Sequence, residues 1–524
     1  MRDDSIKKRY FYKLVVRIIG LVFYLARVTI VPRALGPADF GSFTFLERFF
    51  SSIINFFDFG SSSAFFNYNS KNKSSGPIIL FYSIFSFCLP LVLSLFILIV
   101  WLLGFSELFW PEQQAVYIYA GAGFAWLLWL SNLIYGFSDS KGMTVVSEIV
   151  RLKVRFITIF LLVGLFTFKF LNLATFYVYS YIELIGLIGF VAYFLWKNKL
   201  FKEYNLKNLK QEFRKLWTYF RKFCSPMVAY SIVVLVAGLF GAWFLQKIYG
   251  SVEYGYFGLS VKIGSFCMIF TGSMIPIFMK EFSQAHGVGD YGKMKKLFYE
   301  NSRLLYFLAV LLSVYFAFFA KEISSVLAGK EFVFATIPVA IMSFYPAYQT
   351  YAQINSTAFY STERTKIYRN IGISIIGLGL IMQYIFIAPR HFIIPGLELG
   401  AIGAAIATLT TLIICTHIQL YFNCKYLKLK FLNFLKHQIS VLILLSVLMV
   451  TIKYLTSQSF AYLNIQISIY STLTTMALAG VLYLAIAIVI IYIIPNSMIG
   501  LSKEKINSYK EIILSKMKNK LFSK

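Results

Sequence analysis

Residues 33–48 read RALGPADFGSFTFLER, and residues 247–262 read KIYGSVEYGYFGLSVK, so one short stretch occurs twice in the chain. Aligned without gaps, the two copies are 214 residues apart. They share two glycines, an acidic residue, an aromatic residue and a basic residue at each end. Each copy joins one long apolar run to the next. The repetition predicts the same helical hairpin in two halves of an internally duplicated membrane protein.

Composition places the chain in a membrane. It has 524 residues, of which 59% are hydrophobic and 14% charged. Apolar runs of about 20 residues, the length that crosses the hydrocarbon core, recur from end to end. We therefore predict an all-α, polytopic membrane protein with about fourteen transmembrane helices. They are expected at about 12–32, 41–67, 77–104, 114–137, 145–168, 172–196, 223–247, 254–281, 303–327, 332–360, 367–389, 397–423, 434–456 and 467–494.

Basic residues predict how these helices are arranged. The longest polar connection, 197–222, is rich in lysine and arginine and predicts an amphipathic cytoplasmic surface helix. It separates an N-lobe of six helices at 1–196 from a C-lobe of six helices at 223–424. Two further helices follow at 425–500, and a basic cytoplasmic tail at 501–524. Basic clusters fall on every second connection, which predicts two cytoplasmic termini. Two six-helix lobes in the same orientation predict a pseudo-twofold axis along the membrane normal, with a substrate site at their interface.

Charge and cysteine content narrow the possible partners. The formal net charge of +28 would suggest nucleic acid in a soluble protein. In a membrane protein it indicates basic cytoplasmic loops first and an anionic substrate second, so no nucleic-acid partner is expected. The five cysteines are scattered without metal-ligand spacing and are interpreted as small core residues. No metal or other cofactor is expected. The basic N-terminus lacks a cleavage site and is interpreted as the start of the first helix.

A polar stripe follows the first copy of the repeat. Its residues recur at steps of four and three, which places them on one face of a helix. They are Thr44, Arg48, Ser51, Asn55, Asp58 and Ser62. Polar groups are costly in lipid, so this face is predicted to look at protein or at a water-filled cavity.

The hairpin geometry predicts which charges meet in the first half. If two antiparallel helices turn near residues 36–39, residues at equal depth have numbers that sum to about 75. Arg17 then lies near Asp58, and Arg27 lies near Glu47 or Arg48. Two interpretations stay open for these charges: ion pairs that only allow the hairpin to insert, or contacts to a substrate.

The second half differs because the helix before its repeat carries no acid. Lys262 lies opposite Gly241 by the same depth argument. An ammonium about 10 Å inside the outer end of a helix is costly unless a cavity or an anionic ligand accommodates it. A lysine can also extend to the interface. We predict Lys262 as the leading substrate contact, with Arg48 as its weaker counterpart.

Other helices carry further candidates. Arg151 and Arg155 share one face of the fifth helix and are either cytoplasmic anchors or the inner end of a basic cavity. Gln349 and Gln353 lie in the polar stretch YPAYQTYAQINSTAFYSTER, and either line a sugar-binding wall or hydrogen-bond to other helices. Candidates for a coupling proton or sodium ion, with a satisfied structural role as the alternative, are Asp58, Glu183 and His417.

The sequence resembles polysaccharide exporters of the MOP superfamily, and in particular the Wzx-type flippases of O-antigen and related repeat units. MATE exporters and lipid II flippases are related to these. The resemblance rests on the G-P-x-D-F-G turn at 36–41, its G-x-x-E-Y-G echo at 250–255, EISSVLAGKEF at 322–332 and GLELGAIGAAIAT at 396–408. It spans essentially the whole chain. It implies two six-helix lobes that form a V around a central cavity in the bacterial inner membrane.

The same resemblance implies a substrate and a mechanism. An undecaprenyl-pyrophosphate-linked oligosaccharide would move from the inner to the outer leaflet by alternating access, with cavity arginines and lysines engaging the pyrophosphate. Arg17 and Arg27 join Arg48 and Lys262 as candidates for that contact. The implied partners are this lipid-linked oligosaccharide, membrane lipids and other glycan-assembly membrane proteins.

Two other functions are weighed against this one. A MATE-like exporter of small cations would need an acidic cavity, whereas the candidate cavity residues are mostly basic. A membrane polymerase or ligase of glycans would need a large outer loop for its chemistry. The outer connections here are short, roughly 5–15 residues, and no carboxylate pair or nucleotide-binding glycine loop is evident. We therefore predict a transporter rather than an enzyme.

Overall fold

Two glycines shape the longest helices of the chain. The computed structural model describes residues 6–71, 76–141, 143–197, 209–225, 228–266, 268–462 and 469–504. Within these ranges the chain is almost entirely α-helical and contains no β-strand. The helices of the first half are α1 (Ile6–Asp58), α2 (Ser61–Lys71), α3 (Gly76–Leu102), α4 (Ser106–Phe109), α5 (Ala115–Ser140), α6 (Thr144–Thr167), α7 (Leu173–Lys197), α8 (Leu209–Cys224) and α9 (Val228–Phe266). Those that follow are α10 (Ile269–Gly287), α11 (Tyr291–Phe318), α12 (Ala320–Ile323), α13 (Thr336–Met342), α14 (Tyr345–Ser361), α15 (Thr365–Ile387), α16 (Gly400–Leu427), α17 (Phe431–Tyr462), α18 (Ile469–Ile493) and α19 (Pro495–Ile499).

The repeated turn is a one-residue break rather than a loop. Gly36 in α1 has φ 69° and ψ 174°, and Gly250 in α9 has φ 73° and ψ −174°. Helical backbone continues on both sides of each glycine. Only glycine adopts this region readily, and Pro37 fits the first turn of the helix that restarts after Gly36. The loop that the sequence predicted at about 33–40 is therefore too long.

This break predicts a position-specific effect on stability. Gly36→Ala forces a side chain into the strained region and places its Cβ 3.0 Å from Oε2 of Glu331. We expect it to lower the free energy of unfolding by about 1–3 kcal/mol. Gly164→Ala is the control, because Gly164 is helical and no atom lies within 4 Å of an added Cβ. Thermal unfolding of the purified variants measures both, and equal midpoints would contradict the prediction.

The membrane-spanning character of the helices is clear. The described part of the chain has 11 helices that are long and apolar enough to cross a membrane. Two of these spans, Ile19–Asp58 and Ser231–Phe266, contain the break glycines, and each therefore holds two helical arms. α6 is not among the 11 spans, because Arg151, Lys153 and Arg155 give it too many charges for an apolar span. The result is compatible with the predicted fourteen helices.

Backbone contacts divide the chain into two units, each with its own core. The first unit comprises 1–259, 327–334 and 376–404, and the second comprises 260–326, 335–375 and 405–524, each within the described residues. In the first, α1 packs against α5 and α6, and Phe43 contacts Phe124 and Phe176. In the second, α11 packs against α14 and α17 around Tyr306 and Tyr351. The lobe boundaries derived from the sequence stay predictions.

Within the first unit, the two copies of the repeat pack directly on each other. A Cβ added to Gly41 would lie 1.7 Å from the carbonyl oxygen of Ser251, and one added to Gly255 would lie 2.2 Å from that of Pro37. Gly41 and Gly255 are equivalent positions of the repeat, and so are Pro37 and Ser251. The contact is therefore reciprocal, and only glycine allows the two backbones to approach this closely.

The basic helix of the connecting segment packs on the same unit. α8 buries Leu216 and Phe220 and contacts α2 and α3. The ring of Phe220 lies 5.4 Å from that of Phe81 in α3. Its polar side chains are exposed on the opposite face, where Trp217 is exposed as well. Residues 198–208, also part of the predicted connecting segment, lie outside the described residues.

Candidate functional site

A polar cavity of about 100 Å³ lies inside the first unit, where α1, α5, α6 and α7 meet. Its polar lining consists of Arg27, Ser131, Asn132, Tyr135, Arg151, Arg155, Ser180 and Glu183. Four of the residues predicted from the sequence, three arginines and one glutamate, therefore line one cavity.

Helical spacing explains why single helices supply several of these groups. Arg151 and Arg155 are four residues apart on α6, so both project from one face. Ser180 and Glu183 are three apart on α7 and share a face in the same way. Each helix therefore presents a short polar face to the cavity within an otherwise apolar sequence.

Glu183 is the anionic centre of this lining. Nη1 of Arg27 donates to its Oε2 at 2.9 Å, and Nη2 of Arg27 lies 3.4 Å from Oγ of Ser180. Nε of Arg155 is 4.0 Å from the other carboxylate oxygen. The Glu183 side chain is 9% exposed, whereas that of Arg155 is 40% exposed. One buried carboxylate thus faces two arginines, and Arg155 holds the longer and looser contact.

Arg151 is held by a different set of contacts. Its Nη1 lies 3.6 Å from Oε2 of Glu148, one helical turn away. Its guanidinium lies 3.9 Å from the centre of the Tyr135 ring, within range for a cation–π interaction. Glu148 does not belong to the lining. The lining itself contains three cationic side chains and one anionic side chain, a surplus of two positive charges before Glu148 is considered.

A second cavity of about 80 Å³ adjoins the first. Arg27, Arg155 and Glu183 line both, so these three side chains form a charged partition between two polar spaces. Tyr24, Thr158 and Tyr179 complete the polar side of the smaller one. A ligand carrying several anionic oxygens could contact the guanidinium groups of Arg27 and Arg155 from either cavity.

Comparison with known proteins bears on the fold. No family model matches the sequence, and no curated protein matches it. The chain is similar in structure to the lipid II flippase MurJ in an inward closed conformation, with a TM-score of 0.64 and 16% identity over 93% of this chain and 99% of that one. The chain has the fold of MOP-superfamily transporters.

Two transporters of that superfamily show the same likeness. An inward-facing multidrug resistance MATE transporter has a TM-score of 0.58 and 13% identity, over 79% of this chain and 99% of that one. A MOP transporter from Pyrococcus furiosus, described as having a binding pocket of reverse polarity that suggests a different function, has a TM-score of 0.51 and 13% identity. It aligns over 81% of this chain and 97% of that one. At these identities the likeness establishes the MOP fold and leaves the substrate open.

The structure gives Arg27 a partner that the hairpin argument did not predict. The hairpin argument placed Arg27 near Glu47 or Arg48. Glu47 is within electrostatic range of Arg27, but the direct ion pair is with Glu183 on α7. Depth within one hairpin cannot reveal this pair, because α7 is brought alongside α1 only by tertiary packing.

Asp58 has a capping role. Its Oδ1 accepts hydrogen bonds from the backbone N–H of Ser62 at 3.1 Å and from Nε1 of Trp129 at 3.3 Å. Tyr82 also donates to it, at 3.3 Å. The carboxylate therefore caps the first turn of α2. The Arg17 side chain, its predicted partner, lies outside the described residues. A role for Asp58 in ion coupling stays a prediction.

Arg48 and Lys262 do not line the arginine cavity. Arg48 is exposed on α1, on the same face as exposed Asn55, as the polar stripe predicted. Lys262 is half-buried and engaged in an interaction within the chain. The sequence argument considered only the neighbouring helix, and the role of Lys262 as a substrate contact stays a prediction.

The candidate polar residues of the second unit lie in or near hydrogen bonds between its helices. Gln349 and Gln353 on α14 are half-buried, while their neighbour Asn355 donates to the carbonyl of Thr416 at 3.2 Å. Nε2 of His417 lies 2.9 Å from Oε1 of Gln438, and its Nδ1 lies 2.7 Å from a carbonyl one helical turn earlier. Both ring nitrogens of His417 are thus engaged by helix contacts, as its structural alternative predicted.

Several lining residues were missed by the sequence argument. They are Ser131, Asn132, Tyr135 and Ser180. The adjacent polar pair Ser131–Asn132 interrupts the apolar run AWLLWLSNLIY and is the signal that would have located α5 at the cavity. Tyr135 and Ser180 carry no such signal, because both residue types are common in transmembrane helices.

Proposed function

We propose that this protein is a flippase for an undecaprenyl-pyrophosphate-linked oligosaccharide, such as an O-antigen or related surface-glycan repeat unit. It would carry this lipid from the inner to the outer leaflet of the bacterial cytoplasmic membrane by alternating access. The fold supports the proposal, because a solved structure of similar fold is a lipid II flippase.

The observation that carries the proposal is the surplus of positive charge in the lining of the larger cavity. A lipid-linked pyrophosphate carries about two negative charges, which the surplus of two in the lining would balance. Arginine suits this task better than lysine, because its planar fork binds two phosphate oxygens at once. Arg155 is the best-placed donor, since its contact to Glu183 is long and its side chain is half-exposed.

We also propose roles for the candidate residues that do not line the arginine cavity. The exposed Arg48 would attract the anionic head group along α1. Lys262 is a further proposed contact to the pyrophosphate. Gln349 and Gln353 would contact the sugars. No cofactor is needed; a proton or sodium gradient would drive the cycle through Asp58, Glu183 or His417. Other glycan-assembly proteins in the membrane would supply and consume the lipid.

A MATE-like exporter of small molecules is the alternative that the fold also supports. Such an exporter of organic cations needs acidic groups in its binding cavity. The cavity of the first unit has the opposite balance, with three arginines and one glutamate. This balance favours an anionic substrate over a cationic one.

A binding experiment tests the class of substrate. Purified protein in lipid nanodiscs should bind undecaprenyl pyrophosphate at least about tenfold more tightly than undecaprenol, because two guanidinium contacts are worth well over 1.4 kcal/mol. Arg155→Gln should remove much of this difference. Lys153→Gln is the control, since Lys153 is exposed on the same helix and does not line the cavity. Equal affinity for the charged and neutral lipids would overturn the proposal.

A further inference from the structure

The ends of the repeat are tied across the two halves by a reciprocal set of contacts. Nε of Arg33 donates to the carbonyl oxygen of Leu327 at 2.9 Å. Nζ of Lys247, the equivalent residue of the second copy, donates to the carbonyl oxygen of Glu107 at 3.2 Å. The first basic residue of each copy therefore contacts a connecting segment that belongs to the other half of the sequence.

Two glutamates in these connecting segments also contact the copy of the repeat in the other half of the chain. Glu112 lies in the segment before α5. Its Oε1 would be only 2.5 Å from a Cβ added to Gly250. Its Oε2 accepts from the backbone N–H of Ser251 at 2.8 Å, at the start of the second arm of α9. Glu331 lies in the corresponding place, 3.0 Å from a Cβ on Gly36. Each glycine leaves room for a carboxylate from the other half of the chain.

These contacts enclose the packed glycines of the repeat. Below the two carboxylates, Gly41 and Gly255 bring the backbones together, and Gly258 lies against Thr44, which is 5% exposed. Thr44 and Gly258 are again equivalent positions. A pseudo-twofold axis thus passes through the contact, and the crossed glutamates lie one on each side of it. All of these residues belong to the first unit.

We propose that Glu112 and Glu331 are gate residues that hold the two repeat turns together on the side predicted to be outer. Glu112 makes a charge-assisted hydrogen bond at the start of the second arm of α9. Pro37 has no N–H to donate, so Glu331 acts at the start of the second arm of α1 through its charge in the helix dipole and through close packing on Gly36. Glu112 joins the two halves by a hydrogen bond and Glu331 by its close approach to Gly36, so a passage on this side opens only when both contacts break. The inference rests on the proposed function only in requiring a transport cycle that opens this side.

Labelling of a buried cysteine tests the proposal without any glycan assay. Thr44→Cys places a thiol beneath the two carboxylates, and a membrane-impermeant maleimide added to intact cells reports its access from outside. The chain without this substitution gives the background from native cysteines. Glu112→Ala with Glu331→Ala should raise the labelling rate about tenfold or more, while each single change has a smaller effect because the other contact remains.

Glu107→Ala is the matched control, because Glu107 lies in the same segment but contributes a backbone carbonyl to Lys247. It should leave the labelling rate unchanged. Glu112→Gln with Glu331→Gln keeps the size of both side chains and removes their charge, so it should also accelerate labelling if charge holds the contact. Membrane abundance of every variant is measured in parallel.

The outcomes separate this proposal from the substrate proposal. Unchanged labelling in the double alanine variant, at normal abundance, would overturn the gate assignment and leave the arginine cavity untouched. Accelerated labelling together with indifference of export to the cavity arginines would support the gate and overturn the substrate assignment. If the double variant does not reach the membrane, the double glutamine variant decides by the same criterion.

Discussion

Arg155→Glu should abolish export of the surface glycan in cells depleted of their own flippase. The change turns the cavity lining from three cationic and one anionic side chain into two of each, so the surplus that would bind pyrophosphate disappears. It also places a second carboxylate beside buried Glu183, whose Oε1 lies 4.0 Å from Nε of Arg155. Losing one charge-assisted contact and adding a repulsion should weaken pyrophosphate binding by about two orders of magnitude or more.

Two variants distinguish lost charge from lost structure. Lys153→Glu makes the same change on the same helix at an exposed position outside the cavity, and should leave export intact. Arg155→Lys keeps the charge but loses the bidentate fork, so export should fall about tenfold rather than vanish. Export and membrane abundance are measured together. Normal export by abundant Arg155→Glu protein would rule out Arg155 as a pyrophosphate contact.

The fold was largely predictable because hydrophobic length alone defines transmembrane helices. Apolar runs identified an all-α membrane protein, and the repeated glycines marked both helix breaks. The sequence did not show that each break is confined to Gly36 or Gly250, because neighbouring Pro37 and the acidic residues nearby are typical of loops as well as of a first helical turn.

The candidate site was predictable only where its residues share one helix. Arg151 and Arg155 stand four apart in the sequence, so their common face could be predicted. The pair between Arg27 and Glu183 joins residues 156 apart and depends on how α1 packs against α7. No periodicity in one helix contains that information. For the same reason, counting acids in one neighbouring helix could not reveal the interaction that Lys262 makes in the folded chain.

The crossed contacts show what the repeat did and did not reveal. Arg33 and Lys247 were recognised as equivalent ends of the two copies, but their acceptors are backbone carbonyls, which every residue has. Glu112 and Glu331 lie in connecting segments outside the copies, and they contact the copies only in the folded chain. Internal symmetry therefore predicted that two equivalent environments exist, and the structure was needed to show that each half completes the other.

A disulfide between the two copies of the repeat should stop transport reversibly. Oγ of Ser42 donates to Oγ of Ser251 at 3.2 Å, so cysteines at both positions lie close enough for oxidation to form a bond of about 2.05 Å. The double variant Ser42→Cys with Ser251→Cys should export glycan while reduced. Oxidation should reduce export to the background of the depleted cells, because the bond prevents the turns from separating. Reduction should restore it, and mass spectrometry of the linked peptide measures how much protein is crosslinked.

The control is a second serine pair at a similar separation but inside one predicted lobe. Oγ of Ser283 donates to Oγ of Ser361 at 3.0 Å, and both residues lie in the C-lobe predicted from the sequence. Cysteines at these two positions should crosslink as readily and leave export unchanged, because neighbouring helices of one lobe are expected to move together. The single Ser42→Cys and Ser251→Cys variants control for oxidation itself. Full export by chains crosslinked between residues 42 and 251 would mean that the repeat turns never part. That result would contradict the gate role of Glu112 and Glu331. It would not affect the proposal that Arg155 binds pyrophosphate.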